Sequence, residues 1–378
     1  MKKTKVVIAS LLKPIDDTRM LDKFGLSMAE SNTYDVNIIG FDSKNIKRVE
    51  NITFHPLKAF PRLSVTRLLM PIRVFRFYIK VKPQILIANT HELLIVSCLY
   101  KILFGGKFIY DIRENYVKNI RNTEVFPRLL RPLLSAWVRL KEWCSKPFVN
   151  HYTLAERVYK SQLPFLSKRF TIIENKYAPN PQTTSSRVKN DSNSINLVFT
   201  GTLGESNGVF DAIEVTKKLH DKNNTIRLKI VGYCALKKDL IKLQGEIKDL
   251  DFIELNGGDH LVPHSEIIEA IENADFGFVL KKPNKGMNDE KLLTRLFEYT
   301  ANKLPILLLD NPTWVTFCET YNAAVVLNPQ DFDAEYVLNQ MTTQEFYTQG
   351  DISQSLWSSE SSKLLDLLKH IQGTFSLA

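Results

Sequence analysis

The sequence predicts an α/β protein of two doubly wound, parallel-sheet domains. Short apolar strands alternate with helical patterns along its 378 residues. A polar stretch divides the chain, and the two sides carry opposite net charge. Residues 1–200 hold 33 Lys+Arg against 15 Asp+Glu, a net +18, whereas residues 201–378 hold 17 against 26, a net −9. Domains with different partners are therefore expected.

The strand-like runs of the first half are KVVIAS (5–10), VNIIGF (36–41), ILIAN (85–89), FIYDI (108–112) and TIIEN (171–175). Those of the second half are NLVFTG (196–201), LKIVG (228–232), FIELN (252–256), DFGFVL (275–280), PILLLD (305–310) and AAVVL (323–327). Helical patterns such as Val209–Asp221 and Ser265–Ala274 fit between them. Runs this short and this apolar suit parallel strands covered on both faces. The divider APNPQTTSSRVKNDSNS (178–194) contains Pro and almost no apolar residue, so it reads as a linker. The expected organisation is a domain over 1–180, a linker over 181–194, a second domain over 195–345, and a helical tail over 346–378. The tail has helical character in Ser361–Ile371 and suits packing on either domain, back on the first among them.

Composition excludes several classes. The chain is 44% hydrophobic, enough for two cores. Cys98, Cys144, Cys234 and Cys318 lie far apart with no CxxC pair, which argues for reduced structural thiols in the cytosol rather than a disulfide framework or zinc site. The start MKKTKVVIASLL reads as a first strand, because Val6–Leu12 is short for a signal segment. No run approaches the roughly 18 apolar residues of a membrane span. The histidines show no metal-ligand spacing, and neither a metal nor a cofactor is expected.

The segment DEKLLTRLFEYTANKLPILLLD (289–310) carries the most chemistry. Leu292, Leu293, Leu296, Phe297 and Ala301 keep helical spacing from Lys291 to Asn302, and a strand follows Pro305. Glu290 and Glu298 thus flank a helix N-terminus, where orphan N–H groups attract anions. That combination suits a ligand with a diphosphate and vicinal hydroxyls, such as a sugar nucleotide. An amphipathic surface helix with solvated acids would show the same pattern.

Two basic segments stand apart. Residues 60–82 and 126–148 interleave cations with apolar and aromatic residues, including Leu68, Ile72, Phe75, Trp137 and Trp143. They suit an anionic membrane surface. Nucleic acid is the competing electrostatic partner, but no binding motif for it is present and it is not expected.

Taken in order, these motifs resemble glycosyltransferase family 4, retaining enzymes of the GT-B fold that use nucleotide sugars. The resemblance covers about residues 4–330. Its pieces are Glu290 and Glu298 in an E-x7-E element, FTGTLGESNGVFDAIE (199–214) followed by KIVGY (229–233), PIDDTRM (14–20), ANTHELL (88–94) and FIYDIREN (108–115). It implies two Rossmann-like domains facing a central cleft. By resemblance, Glu298 holds the donor ribose and Glu290 faces the transferred sugar. Backbone N–H groups of Gly201, Thr202 and Leu203, with Gly208 nearby, meet the diphosphate. Gly232, Tyr233, Gly257 and Val262 line the base. Asp111, Glu114 and His91 orient the acceptor. Retaining transfer needs no separate general base, because the leaving phosphate can take the acceptor proton.

The chain departs from the family at three positions. Thr202 and Asn207 stand where the family has an Arg and a Lys on the diphosphate, and Arg113 stands where it often has His. Hydrogen bonds to charged groups contribute about 1.5–3 kcal/mol each. An active enzyme therefore needs substitutes, for which Arg295 is the first candidate, followed by Lys281, Lys282, Lys285, Lys291 and Arg19. The implied activity is retaining transfer from a UDP- or GDP-sugar to a glycan or polyprenyl-linked acceptor. It would build surface polysaccharide in the cytoplasm, peripherally on the inner membrane. A non-catalytic sugar-nucleotide-binding or scaffold protein is the alternative, favoured by Thr202 and Asn207. An epimerase on the same fold is disfavoured, because its acidic and histidine residues are not recognisable.

Overall fold

The computed structural model describes residues 3–43, 48–60, 64–122, 126–166, 168–179, 194–282 and 291–373. The chain forms two compact units, Met1–Ala178 with Trp357–Ala378, and Pro179–Leu356. The first holds β1 (Thr4–Pro14), β2 (Tyr34–Phe41), β3 (Ile52–Leu57), β4 (Ile85–Ala88), β5 (Lys107–Ile112), β6 (His151–Leu154) and β7 (Phe170–Ile172). They form one parallel sheet in the order β3-β2-β1-β4-β5-β6-β7. The second holds β8 (Ile195–Leu203), β9 (Ile226–Cys234), β10 (Ile253–Gly258), β11 (Phe276–Val279), β12 (Ile306–Leu309) and β13 (Ala324–Leu327). Their order is β10-β9-β8-β11-β12-β13, again all parallel. Two doubly wound α/β units are what strand–helix alternation requires.

β1 shows why its sequence is apolar throughout. Val7 and Ala9 face one core with Val74 and Tyr78 of the helix Val65–Val81. Val6 and Ile8 face another with Leu364, Leu367, Leu368 and Ile371 of the helix Ser358–Gly373. Alternate side chains point to opposite faces, so a strand covered on both sides cannot alternate with polar residues.

The helix Ser358–Gly373 completes the first unit although it lies far along the chain from the rest of it. Trp357 stacks on Phe24 with ring centroids 5.8 Å apart and donates Nε1–H to Ser27 Oγ at 2.8 Å. The fully buried Glu360 accepts from Lys176 Nζ at 2.7 Å and from the Glu174 N–H at 3.1 Å. The preceding residues stay with the second unit, where Phe346 meets Phe276 edge-on at 5.6 Å. The division between the two units falls at Trp357. Of the expected linker 181–194, all but Ser194 lies outside the described residues.

Two strands escape the sequence reading. β3 is an edge strand whose residues, Leu57 apart, are half-exposed or exposed and include His55 and Pro56. β6 is four residues, His, Tyr, Thr and Leu, in which His and Thr break the apolar run that marks the other strands. The helix expected over 291–302 is narrower, Thr294–Ala301.

Candidate functional site

In the second unit β8 is the switch point: β9 and β10 are laid down on one side and β11, β12 and β13 on the other. Such a reversal leaves a crevice beyond the carboxyl ends of the strands. A cavity of about 260 Å³ lies there. Thr200, Gly201, Thr202 and Asn207 line it from β8 and its loop, and Lys281 from the residues after β11. Leu293, Thr294, Arg295 and Glu298 line it from the helix Thr294–Ala301, and His264 and Ile267 from the helix His264–Glu272. The N-cap residue of the Thr294–Ala301 helix, Leu293, makes no side-chain capping hydrogen bond, and among the described residues its start is uncapped. The register of β8 with β11 covers only Leu197 and Val198, so the β8 edge beyond Val198 is not a ladder on that side.

Glycines set the floor beside this cavity. Gly201 pairs with Gly232, and Gly232 with Gly257, across three parallel strands. A Cβ on Gly232 would sit 1.8 Å from the Gly201 carbonyl oxygen. One on Gly257 would sit 2.3 Å from the Gly232 oxygen and 2.4 Å from Val262 Cγ2. Only residues without a side chain allow this approach. Gly208 closes the loop against the Leu280 carbonyl at the start of the helix Val209–Lys222. Beneath, Tyr299 Oη and Thr200 Oγ1 share a buried hydrogen bond at 3.1 Å.

Two charged side chains of one helix face the cavity. The Arg295 guanidinium lies 4.5 Å over the Phe199 ring, with Nη1 3.3 Å from the Phe278 carbonyl oxygen. Burial lowers its pKa, against the pull of Tyr299 and Glu298. Glu298, three residues on, pairs through Oε1 with His264 Nε2 at 3.1 Å. His264 was not among the expected residues; a lone histidine opening a helix gives no signal until the fold sets it against Glu298.

The structure thus brings Gly201, Thr202, Arg295, Glu298 and Lys281 together. Gly232, Gly257 and Val262 stand alongside, and the half-buried Tyr233 pairs with Thr202 across the ladder. Leu203 places its side chain in the core at 1% exposure. Lys282 is turned away to Glu205 (2.8 Å) and Asp211 (3.1 Å). The Lys291 carbonyl accepts from Trp314 Nε1 at 2.9 Å. Glu290 and Lys285 lie outside the described residues.

The first unit corrects two assignments. Arg19 is 1% exposed, and its guanidinium is spent on Asp111, the Ile173 carbonyl and Asn175 Oδ1. It cannot serve a diphosphate. Asp111, 0% exposed, accepts from Arg19 Nε and Nη2, Asn89 Nδ2 and Thr153 Oγ1 at 2.7–2.9 Å. Four bonds fill a carboxylate, so Asp111 has none for an acceptor hydroxyl. A second pair runs beside it: Arg113 donates to both Asp17 oxygens at 2.7 and 3.0 Å. Burial raises the Asp17 pKa, but the Arg113 guanidinium overrides it and the net shift is downward. Arg113 therefore ties the loop after β1 to the end of β5.

His91 is also held inside. Its Nδ1 is 2.8 Å from Lys141 Nζ, and its ring meets Tyr116 edge-on at 4.7 Å. Burial keeps the imidazole neutral, with a pKa lowered to about 4, and lowers Lys141 to about 8. The lysine donates, so His91 Nδ1 is the acceptor. Glu114 is half-buried and accepts from Asn119 Nδ2 at 2.9 Å. Asp111, Glu114 and His91 each have partners of their own and do not form one open site. Among the described residues, no group of three or more His, Cys, Asp or Glu is arranged to hold a metal ion.

No family model matches the chain, and no curated protein matches it. Solved structures do. Sucrose-phosphate synthase from Thermosynechococcus elongatus superposes with a TM-score of 0.69 at 10% identity, over 98% of this chain and 100% of that one. The fold is GT-B. Two further GT-B structures agree. Anabaena HepE in complex with UDP and glucose gives 0.64 at 12% identity, covering 97% of this chain and 99% of that one. The catalytic domain of starch synthase IV from Arabidopsis thaliana, bound to ADP and acarbose, gives 0.65 at 12%, covering 98% and 99%. At such identities the likeness shows the GT-B fold alone.

Proposed function

We propose that the protein is a family 4 type glycosyltransferase, moving a sugar from a nucleotide diphosphate sugar to a glycan or lipid-linked acceptor with retention at the anomeric carbon. The observation that carries this reading is the switch-point cavity, where one helix presents both a cation, Arg295, and a carboxylate, Glu298. A carboxylate accepts from paired ribose hydroxyls, and the uncapped helix start and the cation favour a diphosphate. Neighbouring structures of the same fold hold UDP or ADP.

The test is nucleotide diphosphate release from UDP-, GDP- and ADP-sugars by wild type and Glu298→Ala. One donor should be cleaved slowly, with kcat/KM falling about ten- to a hundredfold in the variant, as loss of a charged hydrogen-bond acceptor implies. Binding of none of these donors would overturn the reading in favour of a scaffold.

The acceptor is argued from the first unit. Three helices there expose large apolar side chains. They are Val65–Val81 with Leu68 and Ile72, Leu94–Phe104 with Ile102 and Phe104, and Arg131–Ser145 with Leu133 and Trp137. The middle helix packs against both others, and Arg73, Arg76 and Lys80 line a hollow with Ile72 on the first. Apolar anchors among cations suit an anionic bilayer surface, where a polyprenyl-linked acceptor for surface polysaccharide would lie. No helix among the described residues is long and apolar enough to cross a membrane. Co-sedimentation with phosphatidylglycerol vesicles should be strong at low salt and weak with phosphatidylcholine. Leu133→Glu/Trp137→Glu should reduce it about tenfold or more while leaving donor binding unchanged. Equal binding by the variant would remove the membrane from the proposal.

A further inference from the structure

We infer that Arg295 is the residue that binds the diphosphate of the donor and offsets its charge as it leaves, in place of side chains at positions 202 and 207. The inference rests on the donor reading above and adds to it the residue on which that reading depends.

A guanidinium has five N–H donors in a fixed plane. Among the described residues Arg295 meets one acceptor, the Phe278 carbonyl oxygen, at the long distance of 3.3 Å. No ion pair joins it to any described residue: Glu298, the carboxylate on its own helix, is engaged by His264 instead. The side chain is nonetheless half-buried. It is kept in place by the Phe199 ring and the β8 backbone, for Nη2 lies 3.1 Å from where a Gly201 Cβ would be. A cation drawn partly out of water, with Glu298 acting on it only at a distance and no ion pair to a described residue, is costly to maintain. Its position, against the glycine strand end and beside the uncapped helix start, is where an anion would receive both guanidinium and backbone donors. Thr202 and Asn207 on the same cavity are neutral, and its other cation, Lys281, comes from the residues after β11 rather than from the helix that carries Glu298.

In the reaction, the bond from the anomeric carbon to the diphosphate breaks and its electron pair stays on the diphosphate. The acceptor oxygen forms the new bond, and its proton passes to a diphosphate oxygen. Arg295 offsets charge on the leaving group and lies on the same helix as Glu298, so one rigid element would grip both the ribose and the diphosphate.

The experiment measures the affinities of UDP, GDP and ADP, and of the matching nucleosides, for wild type, Arg295→Ala, Arg295→Lys and the double variant Arg295→Ala/Thr202→Arg. Thermal unfolding of each variant checks folding. Arg295→Ala should weaken the preferred diphosphate about ten- to a hundredfold and leave its nucleoside unchanged. Arg295→Lys should recover part of the loss. Thr202→Arg, on the exposed rim of the same cavity, should recover more by supplying a guanidinium from the other side. Equal losses for nucleoside and diphosphate would make Arg295 a packing residue and overturn the inference, as would an undiminished diphosphate affinity. If wild type binds none of the three diphosphates, the donor reading itself falls; if wild type binds one and Arg295→Ala binds it equally, only the role of Arg295 falls.

Discussion

Asp111→Ala should lower the stability of the first unit by about 3–5 kcal/mol, read as a shift in its urea midpoint. The variant leaves the Arg19 guanidinium buried at 1% exposure with only the Ile173 carbonyl and Asn175 as acceptors. It also strands Asn89 Nδ2 and Thr153 Oγ1, which both donate to Asp111. Arg19→Met should cost a similar amount for the reciprocal reason, an uncompensated buried carboxylate. The double variant Arg19→Met/Asp111→Leu should cost clearly less than the sum, since neither charge is then left alone. Strict additivity would mean that the two groups are stabilised independently and that the pair is incidental.

Gly232→Ala is the second large effect. Its Cβ would lie 1.8 Å from the Gly201 carbonyl oxygen, so the ends of β8 and β9 must part. Overpacking of this kind costs about 1–3 kcal/mol. Donor affinity should fall as well, because the displaced Gly201 backbone lines the cavity. Gly245→Ala is the control within the same unit. It lies in the helix Lys237–Ile247, where an added Cβ would meet nothing within 4 Å, and should stabilise by about 0.5–1 kcal/mol. Were both substitutions equally neutral, the strand ends would have to be looser than their register indicates.

Much of the fold was legible because burial on both faces forces continuous apolar runs, and eleven such runs fall on strands of the two sheets. Edge strand β3 and short β6 lack that signature. In the second unit, local sequence marked the glycines and Glu298, which the fold sets at or beside the switch-point cavity. What sequence hid was long-range pairing. Arg19 and Asp111 are 92 residues apart, and nothing in PIDDTRM or FIYDIREN says that one loop's cation saturates the other's carboxylate. The same blindness let His91 read as an acceptor contact, when Lys141 and Tyr116 pack against it. His264 and Glu298 likewise meet only across the fold. Helix amphipathicity showed that Ser361–Ile371 had an apolar face, but not which core it covers.

That last helix also sets an order of events during synthesis. Roughly 180 residues separate Ala178 from Trp357, about 10–40 s of elongation at typical rates of 5–20 residues per second. Throughout that interval Phe24, Met28 and the outer faces of Val6 and Ile8 wait for Trp357 and Leu364–Ile371. The second unit, contiguous in sequence, has its whole core translated before those residues emerge. The part of the protein made first is therefore the part finished last, and a chaperone that shields nascent apolar surface has its longest task on the outer face of β1.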